Sequence, residues 1–221
     1  MWWFVDRAGQ RHGPVDQAEC VRLINSGHIT PETYVWTEGS TVIATGANPT
    51  VALSLGVHTI TLTVTDPHGL SSQDTVTITV LDNSLPVITL TGQTIVLGSS
   101  NHQYETINLS SLVASASDSC DPTVDLSDVV ISQATSDEAE NGNGDGNTPN
   151  DIVIAPDCKS VQLRAERAGG GNGRVYTITF LVRDTAGNTT TATAKVTVPK
   201  SNNGTAAVDD GPQYTVNSSC Q

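Results

Sequence analysis

Residues 58–80 read HTITLTVTDPHGLSSQDTVTITV. Isoleucine, leucine and valine alternate with threonine up to Asp66, and alternate again from Thr75 onward. A period of two built from β-branched residues predicts two half-buried strands. Between them, Asp66-Pro67-His68-Gly69 supplies turn chemistry: a proline that fixes φ, then a glycine free to take positive φ. An antiparallel β-hairpin with one wet face is the expectation. Residues 176–198, YTITFLVRDTAGNTTTATAKVTV, repeat the pattern without a gap, with Asp184 matching Asp66 and Gly187 matching Gly69. Both aspartates are expected to bond their own turn backbones. Two copies of one supersecondary unit predict a tandem array of β-domains. The fold class is mainly β.

Composition narrows the function classes. A chain of 221 residues accommodates one to three domains of modest core. Aromatics make up only 4%, which suits thin β-sandwiches better than a large enzyme with a deep pocket. The formal charge of −13 opposes binding to nucleic acid or anionic membrane, since both want a basic patch. It fits a solvated extracellular polymer or a cation binder. No apolar run of about 18 residues predicts membrane insertion, and no basic-then-apolar signal segment follows Met1. Cys20, Cys120, Cys158 and Cys220 permit three pairings. None has C-x-x-C spacing, which argues against zinc or thioredoxin-like chemistry. Cys120 and Cys158 sit at acidic loop edges within one predicted domain and are expected to pair. Closing that loop would stabilise the fold by about 4 kcal/mol and imply an oxidising compartment. Free thiols in a cytosolic chain are the alternative.

Residues 1–39 differ from the rest. A short aromatic strand at Trp2-Trp3-Phe4-Val5 leads through a polar turn to Gly13-Pro14. Asp16 and Glu19 have the spacing of a capping box. Val15, Cys20, Leu23 and Ile24 would face inward, and Gly27 would end the helix. Ile29-Thr30-Pro31-Glu32-Thr33 and Val35-Trp36-Thr37-Glu38-Gly39 complete the pattern, and the segment resembles the bacterial GYF-type domain. It lacks the further tryptophan that the family carries after Gly39. The resemblance implies a small α+β segment that stacks aromatic side chains on proline-rich peptides, with Trp3, Phe4, Pro14 and Trp36 contributing. The plainer reading makes the same aromatics the core of a very small domain.

From Tyr34, and over residues 40–83, the text resembles the second half of a polycystic-kidney-disease (PKD) repeat, an immunoglobulin-like sandwich, through LTVTDPHG at residues 62–69. The strands that open such a repeat are absent, and residues 36–39 belong to both patterns. The first sandwich is therefore expected to be incomplete, its gap covered by the GYF-like part or its open sheet edge filled by a partner's strand in self-association. The juxtaposition also reads as a spliced or truncated form of a longer protein. Residues 84–199, entered through Leu85-Pro86, resemble the immunoglobulin-like or hyalin-type repeats of large bacterial surface proteins. Residues 200–221 are expected to be a polar tail with one short strand near its end.

The chemistry-bearing candidate is SDEAENGNGDGNTPNDI, residues 136–152. Asp137, Glu138, Glu140, Asn141, Asn143, Asp145 and Asp151 place oxygen ligands close together, with glycines at 142, 144 and 146 to let the backbone turn. Six to eight hard oxygens are what Ca²⁺ takes. Asp137, Glu138, Asn141, Asn143, Asp145 and Asp151 are the expected ligands, with Asp118, Asp121 and Asp157 as completing groups. No glutamate stands at the last EF-hand position, and the alternative is a solvated loop without an ion.

Gly169-Gly170-Gly171-Asn172-Gly173 is expected to be a hairpin turn rather than a phosphate loop. Arg164, Glu166 and Arg167 could contact a sugar or a carboxylate, but alternating charges on a strand read first as a solvated face. No H-E-x-x-H and no G-x-S-x-G occurs, so no zincin or serine-nucleophile signature is present. The sequence reads as a non-enzymatic extracellular stalk, adhesin or assembly module, stiffened by calcium and a disulfide, that meets protein or polysaccharide at a cell surface. An adaptor for proline-rich peptides and a carbohydrate-binding module of a larger hydrolase are the rival readings.

Overall fold

The computed structural model describes residues 2–5, 11–26, 33–66, 69–98, 101–201 and 205–220. Two compact units divide the chain, Met1–Leu81 and Asp82–Gln221.

In the first unit, β1 (Trp2–Val5) and β2 (Arg11–Val15) pair antiparallel. Helix α1 (Gln17–Asn25) follows. Asp16 caps the helix as expected, with Glu19 N–H donating to Asp16 Oδ1 at 2.8 Å, while the Glu19 carboxylate, the expected second half of the capping box, engages Arg22. Leu23 is buried; the side chains of Cys20 and Ile24, and Gly27, lie outside the described residues. Strands β3 (Thr33–Glu38), β4 (Thr41–Thr45), β5 (Gly56–Thr65) and β6 (Ser71–Val80) form one antiparallel sheet in the order β4-β3-β5-β6. Strand β3, where the two sequence patterns overlap, sits between β4 and β5.

The register sorts the side chains by face, because directly paired residues of a sheet point the same way. Ile60 stands opposite Val76 and His58 opposite Ile78, which gives one apolar face. Thr59, Thr61 and Thr63 pair with Thr77, Thr75 and Gln73 on the other. Ile60 is 7% exposed, yet Val76 and Ile78 remain 48% and 37% exposed. Among the described residues, β6 stands at the edge of this four-stranded sheet. The turn between β5 and β6 is held as predicted: Leu70 N–H donates to Asp66 Oδ1 at 2.9 Å, and Gly69 N–H to the Asp66 carbonyl at 3.1 Å.

The second unit contains β7 (Val87–Leu90), β8 (Ile95–Val96), β9 (Tyr104–Asn108), β10 (Val113–Ser117) and β11 (Val130–Ser136). It continues with β12 (Ile152–Ile154), β13 (Ser160–Arg164), β14 (Gly173–Arg183), β15 (Thr189–Pro199) and β16 (Tyr214–Asn217). A five-stranded sheet runs β16-β11-β14-β15-β8, a three-stranded sheet β12-β13-β9, and β10 pairs with β7. The core lies between them. Tyr176, Ile178, Phe180 and Val182, alternate residues of β14, are each fully buried. They belong to one cluster with Ile131 of β11, Val161 and Leu163 of β13 and Val196 of β15. Each such apolar side chain contributes roughly 1.5–3 kcal/mol by leaving water.

The hairpin β14-β15 repeats the first one at the level of hydrogen bonds. Asn188 N–H donates to Asp184 Oδ1 at 2.7 Å and Gly187 N–H to the Asp184 carbonyl at 3.3 Å. Three expectations are corrected. The glycine-rich segment is not a hairpin turn, since it joins β13 to β14 in a different sheet. Glu166 and Arg164 do not form a solvated face: Glu166 is 0% exposed and the Arg164 side chain 13%. The disulfide joins Cys158 to Cys220, across 62 residues, instead of Cys120 to Cys158. The reason is the course of the last segment: β16 pairs antiparallel with β11, which carries Cys220 to Pro156 and Cys158. Cys120 is exposed and unbridged, beside the Ser84 hydroxyl at 3.2 Å. Loop closure over this span stabilises the fold by about 4 kcal/mol.

Candidate functional site

Strand alternation decides the chemistry of the acidic loop. Arg174 falls in phase with Tyr176, Ile178, Phe180 and Val182, so β14 points a guanidinium into the row that otherwise fills the core. Arg174 is 0% exposed, and a lone buried cation costs several kcal/mol unless charges and hydrogen bonds surround it. They do. Arg174 Nε donates to Glu138 Oε2 at 3.0 Å and Nη1 to Asp151 Oδ2 at 2.5 Å. Nη1 also reaches the Tyr176 hydroxyl at 3.1 Å, and Nη2 the Ala139 carbonyl at 3.3 Å. Asp145 Oδ2 and Glu166 Oε1 each lie 3.8 Å away. Burial opposes the charge on Arg174; Tyr176, Asp151 and Glu138 outweigh it and hold its pKa above the ordinary value. Burial likewise pushes the Tyr176 phenol up.

The loop backbone is shaped for this convergence. Asp145 accepts the Gly142 and Asn147 N–H groups. Gly144 and Gly146 adopt φ of +86° and +97°, the left-handed region that glycine enters without steric cost. A Cβ on Gly144 would meet Gly169 N at 3.2 Å, so the two glycine-bearing loops touch. Glu138 Oε2 also accepts Ala168 N–H at 2.7 Å.

Of the expected calcium ligands, Glu138, Asp145 and Asp151 come together around Arg174. Asp137 accepts Val175 N–H at 2.8 Å, and burial raises its pKa. Asn141 and Asn143 are exposed, and the Asn143 carbonyl accepts Gly169 N–H. Asp118, Asp121 and Asp157 lie elsewhere. Asp121 accepts from Thr123 and Thr185, and those hydroxyls and amides hold its pKa well below the usual carboxylate range. Asp118 accepts Cys120 N–H, and Asp157 accepts Lys159 N–H. Among the described residues, Asp82, Asp118 and Cys120 also bring potential metal-binding atoms within 4.8 Å of one another.

Sequence reasoning missed Arg174 and the place of His102 in the cluster, whereas Arg164 does face carboxylates, Asp151 at 3.7 Å and Glu166 at 3.8 Å. Arg164 lies over the Tyr104 ring at 4.1 Å and donates to the His102 and Pro149 carbonyls, each at 2.9 Å. His102 Nδ1 faces Glu166 Oε2 at 3.2 Å. The available signal was phase: an arginine at an inward position of a strand must find carboxylates nearby.

The peptide-binding set is not gathered by any described contact. Pro14 is exposed, Trp36 is half-buried and donates its indole N–H to the Gly46 carbonyl at 2.9 Å, and the side chains of Trp3 and Phe4 lie outside the described residues.

Residues 2–41 match the family model of GYF domain 2. No curated protein matches the chain. Among solved structures, the chain is similar to the fibronectin(III)-like modules of Clostridium thermocellum CbhA, at 14% identity over 77% of this chain and 80% of that one, with a TM-score of 0.26. It is also similar to the protocadherin gammaB4 extracellular domain, at 18% identity over 74% of this chain and 26% of that one, with a TM-score of 0.33.

Proposed function

We propose that this chain is a non-catalytic extracellular assembly module that associates through the edge of its first sheet. The observation that carries the reading is strand β6, paired on one side only among the described residues and presenting a half-exposed valine and isoleucine along its apolar row. An unpaired edge is a template for a strand from another chain. The Cys158–Cys220 bond fits an oxidising compartment. In this reading Arg174 supplies the positive charge that the sequence assigned to calcium, and the acidic loop is a structural closure of the second unit. Partners at a cell surface, whether protein or polysaccharide, would meet a module of this kind through its strands and loops. Sedimentation equilibrium over a wide concentration range tests the proposal. Reversible self-association, abolished by Val76→Lys, is the expected result; a monomer at all concentrations overturns it. A second reading, capture of proline-rich peptides, is favoured by the match over residues 2–41 alone.

A further inference from the structure

Strand β16 is four residues long, Tyr214–Asn217, and ends the five-stranded sheet beside β11. Tyr214 and Val216 are half-buried and pack against the margin of the core, while Thr215 and Asn217 are exposed. Their seat is β11: Ser136 pairs with Tyr214 and Ala134 with Val216, and both β11 residues are 0% exposed. Gln213 N–H donates to the Ser136 carbonyl at 2.8 Å and Ser218 N–H to the Ser132 carbonyl at 2.9 Å, closing the ladder at either end. Gln133 Nε2 adds a bond to Asn217 Oδ1 at 2.9 Å.

The chain just before β16 is tied elsewhere. Lys195 of β15 pairs with Asp209 at 2.9 Å, Asn172 donates to Asp210 Oδ2 at 2.9 Å, and Ala207 lies against Gly173 at the start of β14. Between these two anchorages stand Gly211 and Pro212. Gly211 has φ of +89°, and a Cβ there would meet nothing within 4 Å. A turn at this pair lifts β16 as a unit and leaves residues 207–210 in place. One covalent tie remains, the Cys158–Cys220 bond. Cys158 is fully buried. Cys220 is half-buried and lines a pocket of about 390 Å³ with Asp128, Val130, Leu181 and Arg183, so an incoming thiolate meets the Cys220 sulfur.

We propose that β16 is exchangeable between copies of this chain: the β11 edge accepts residues 213–220 of a second copy, and the Cys158–Cys220 bond decides whether that seat is open. The occupant is identified by the seat itself, because a second copy brings the same register, hydrogen bonds and cysteine. Contacts are then alike in the closed and exchanged forms, and the hinge and the protein concentration set the balance between them. Short hinges favour such exchange. No oxidant or reductant is consumed. A low-molecular-weight thiolate attacks Cys220 Sγ, forms a mixed disulfide and expels the Cys158 thiolate. When a second copy carrying the same mixed disulfide lays its β16 on β11, this Cys158 thiolate attacks that Cys220 and releases the small thiolate. One S–S bond breaks and one forms at each step, and the thiol is returned. Strand β6 takes no part, so this association is separate from the one proposed above.

The test mixes equal amounts of unlabelled and heavy-nitrogen-labelled full-length chain, with and without catalytic mercaptoethanol. After quenching with iodoacetamide and digestion, mass spectrometry reads the disulfide-linked peptides that contain Cys158 and Cys220. Pairs joining one labelled and one unlabelled peptide should be absent without thiol. With thiol they should rise with protein concentration toward the share that random pairing gives, in a species of dimer size. Val76→Lys should leave this rise unchanged, and the wild-type chain carries the same readout should that variant fail to fold. Same-label pairs alone at every concentration overturn the proposal. So does loss of the mixed pairs in folded Val76→Lys, which would trace them to β6. Bonds from Cys120 to Cys158 or Cys220 in equal abundance would report unselective scrambling and overturn it as well.

Discussion

Arg174 shows how one side chain can organise a whole loop. Its backbone position is that of a core residue, and its chemistry forces Glu138, Asp145, Asp151 and Glu166 inward. Replacing it with methionine keeps the volume and removes the charge, stranding carboxylates that have no exit to water. Arg174→Met should destabilise the second unit by about 3–5 kcal/mol in urea unfolding at neutral pH; a loss below about 1 kcal/mol would show that the loop does not depend on the pairing. His58 makes a parallel case in the first unit. Its Nδ1 faces Glu38 Oε1 at 2.7 Å and its Nε2 faces the Ser54 carbonyl at 2.8 Å. Both partners accept, so the ring must donate twice and carry its charge. The Ser54 carbonyl first, then Glu38, raise its pKa. Its stabilising effect is complete below the ordinary histidine range and fades as pH rises through the raised value. An imidazole titration followed by NMR should place the His58 midpoint above that of a free histidine, and a midpoint at or below it contradicts the geometry.

Among the elements, the two hairpins were the most legible. Alternating threonine and aliphatic residues carry their own register, and Asp66 and Asp184 cap their turns through contacts four residues away. Local chemistry of this kind is written in adjacent letters. Glycine-rich segments were less so, because composition does not say which sheets a loop joins. Gly187 and Gly173 illustrate the difference. Both have positive φ, but a Cβ on Gly187 meets nothing within 4 Å, whereas one on Gly173 comes 2.8 Å from the Val198 carbonyl and 2.7 Å from Ala207 Cβ. Gly187→Ala should cost about 1 kcal/mol from the backbone alone. Gly173→Ala should cost clearly more, about 3 kcal/mol. Equal losses in chemical unfolding would contradict the packing at the start of β14.

For the whole molecule, sequence foretold the mainly β class with several sheets, because strand alternation is visible in local text. The disulfide was not foretold. The partner of Cys158 depends on where β16 enters the five-stranded sheet, and that is a matter of topology rather than of spacing. The acidic cluster was legible as a set of oxygens, whereas the guanidinium it surrounds was not, since Arg174 lies 23 residues beyond Asp151 on another sheet from β12. The central claim is that this cation is part of the chain. Its most direct test is the amide NMR spectrum of the oxidised protein as calcium is added, read at Gly142, Gly144 and Gly146. With Arg174 at the centre of the loop, those three signals should stay where they are up to millimolar calcium. Saturable shifts confined to them would put an ion where the guanidinium stands and contradict the account.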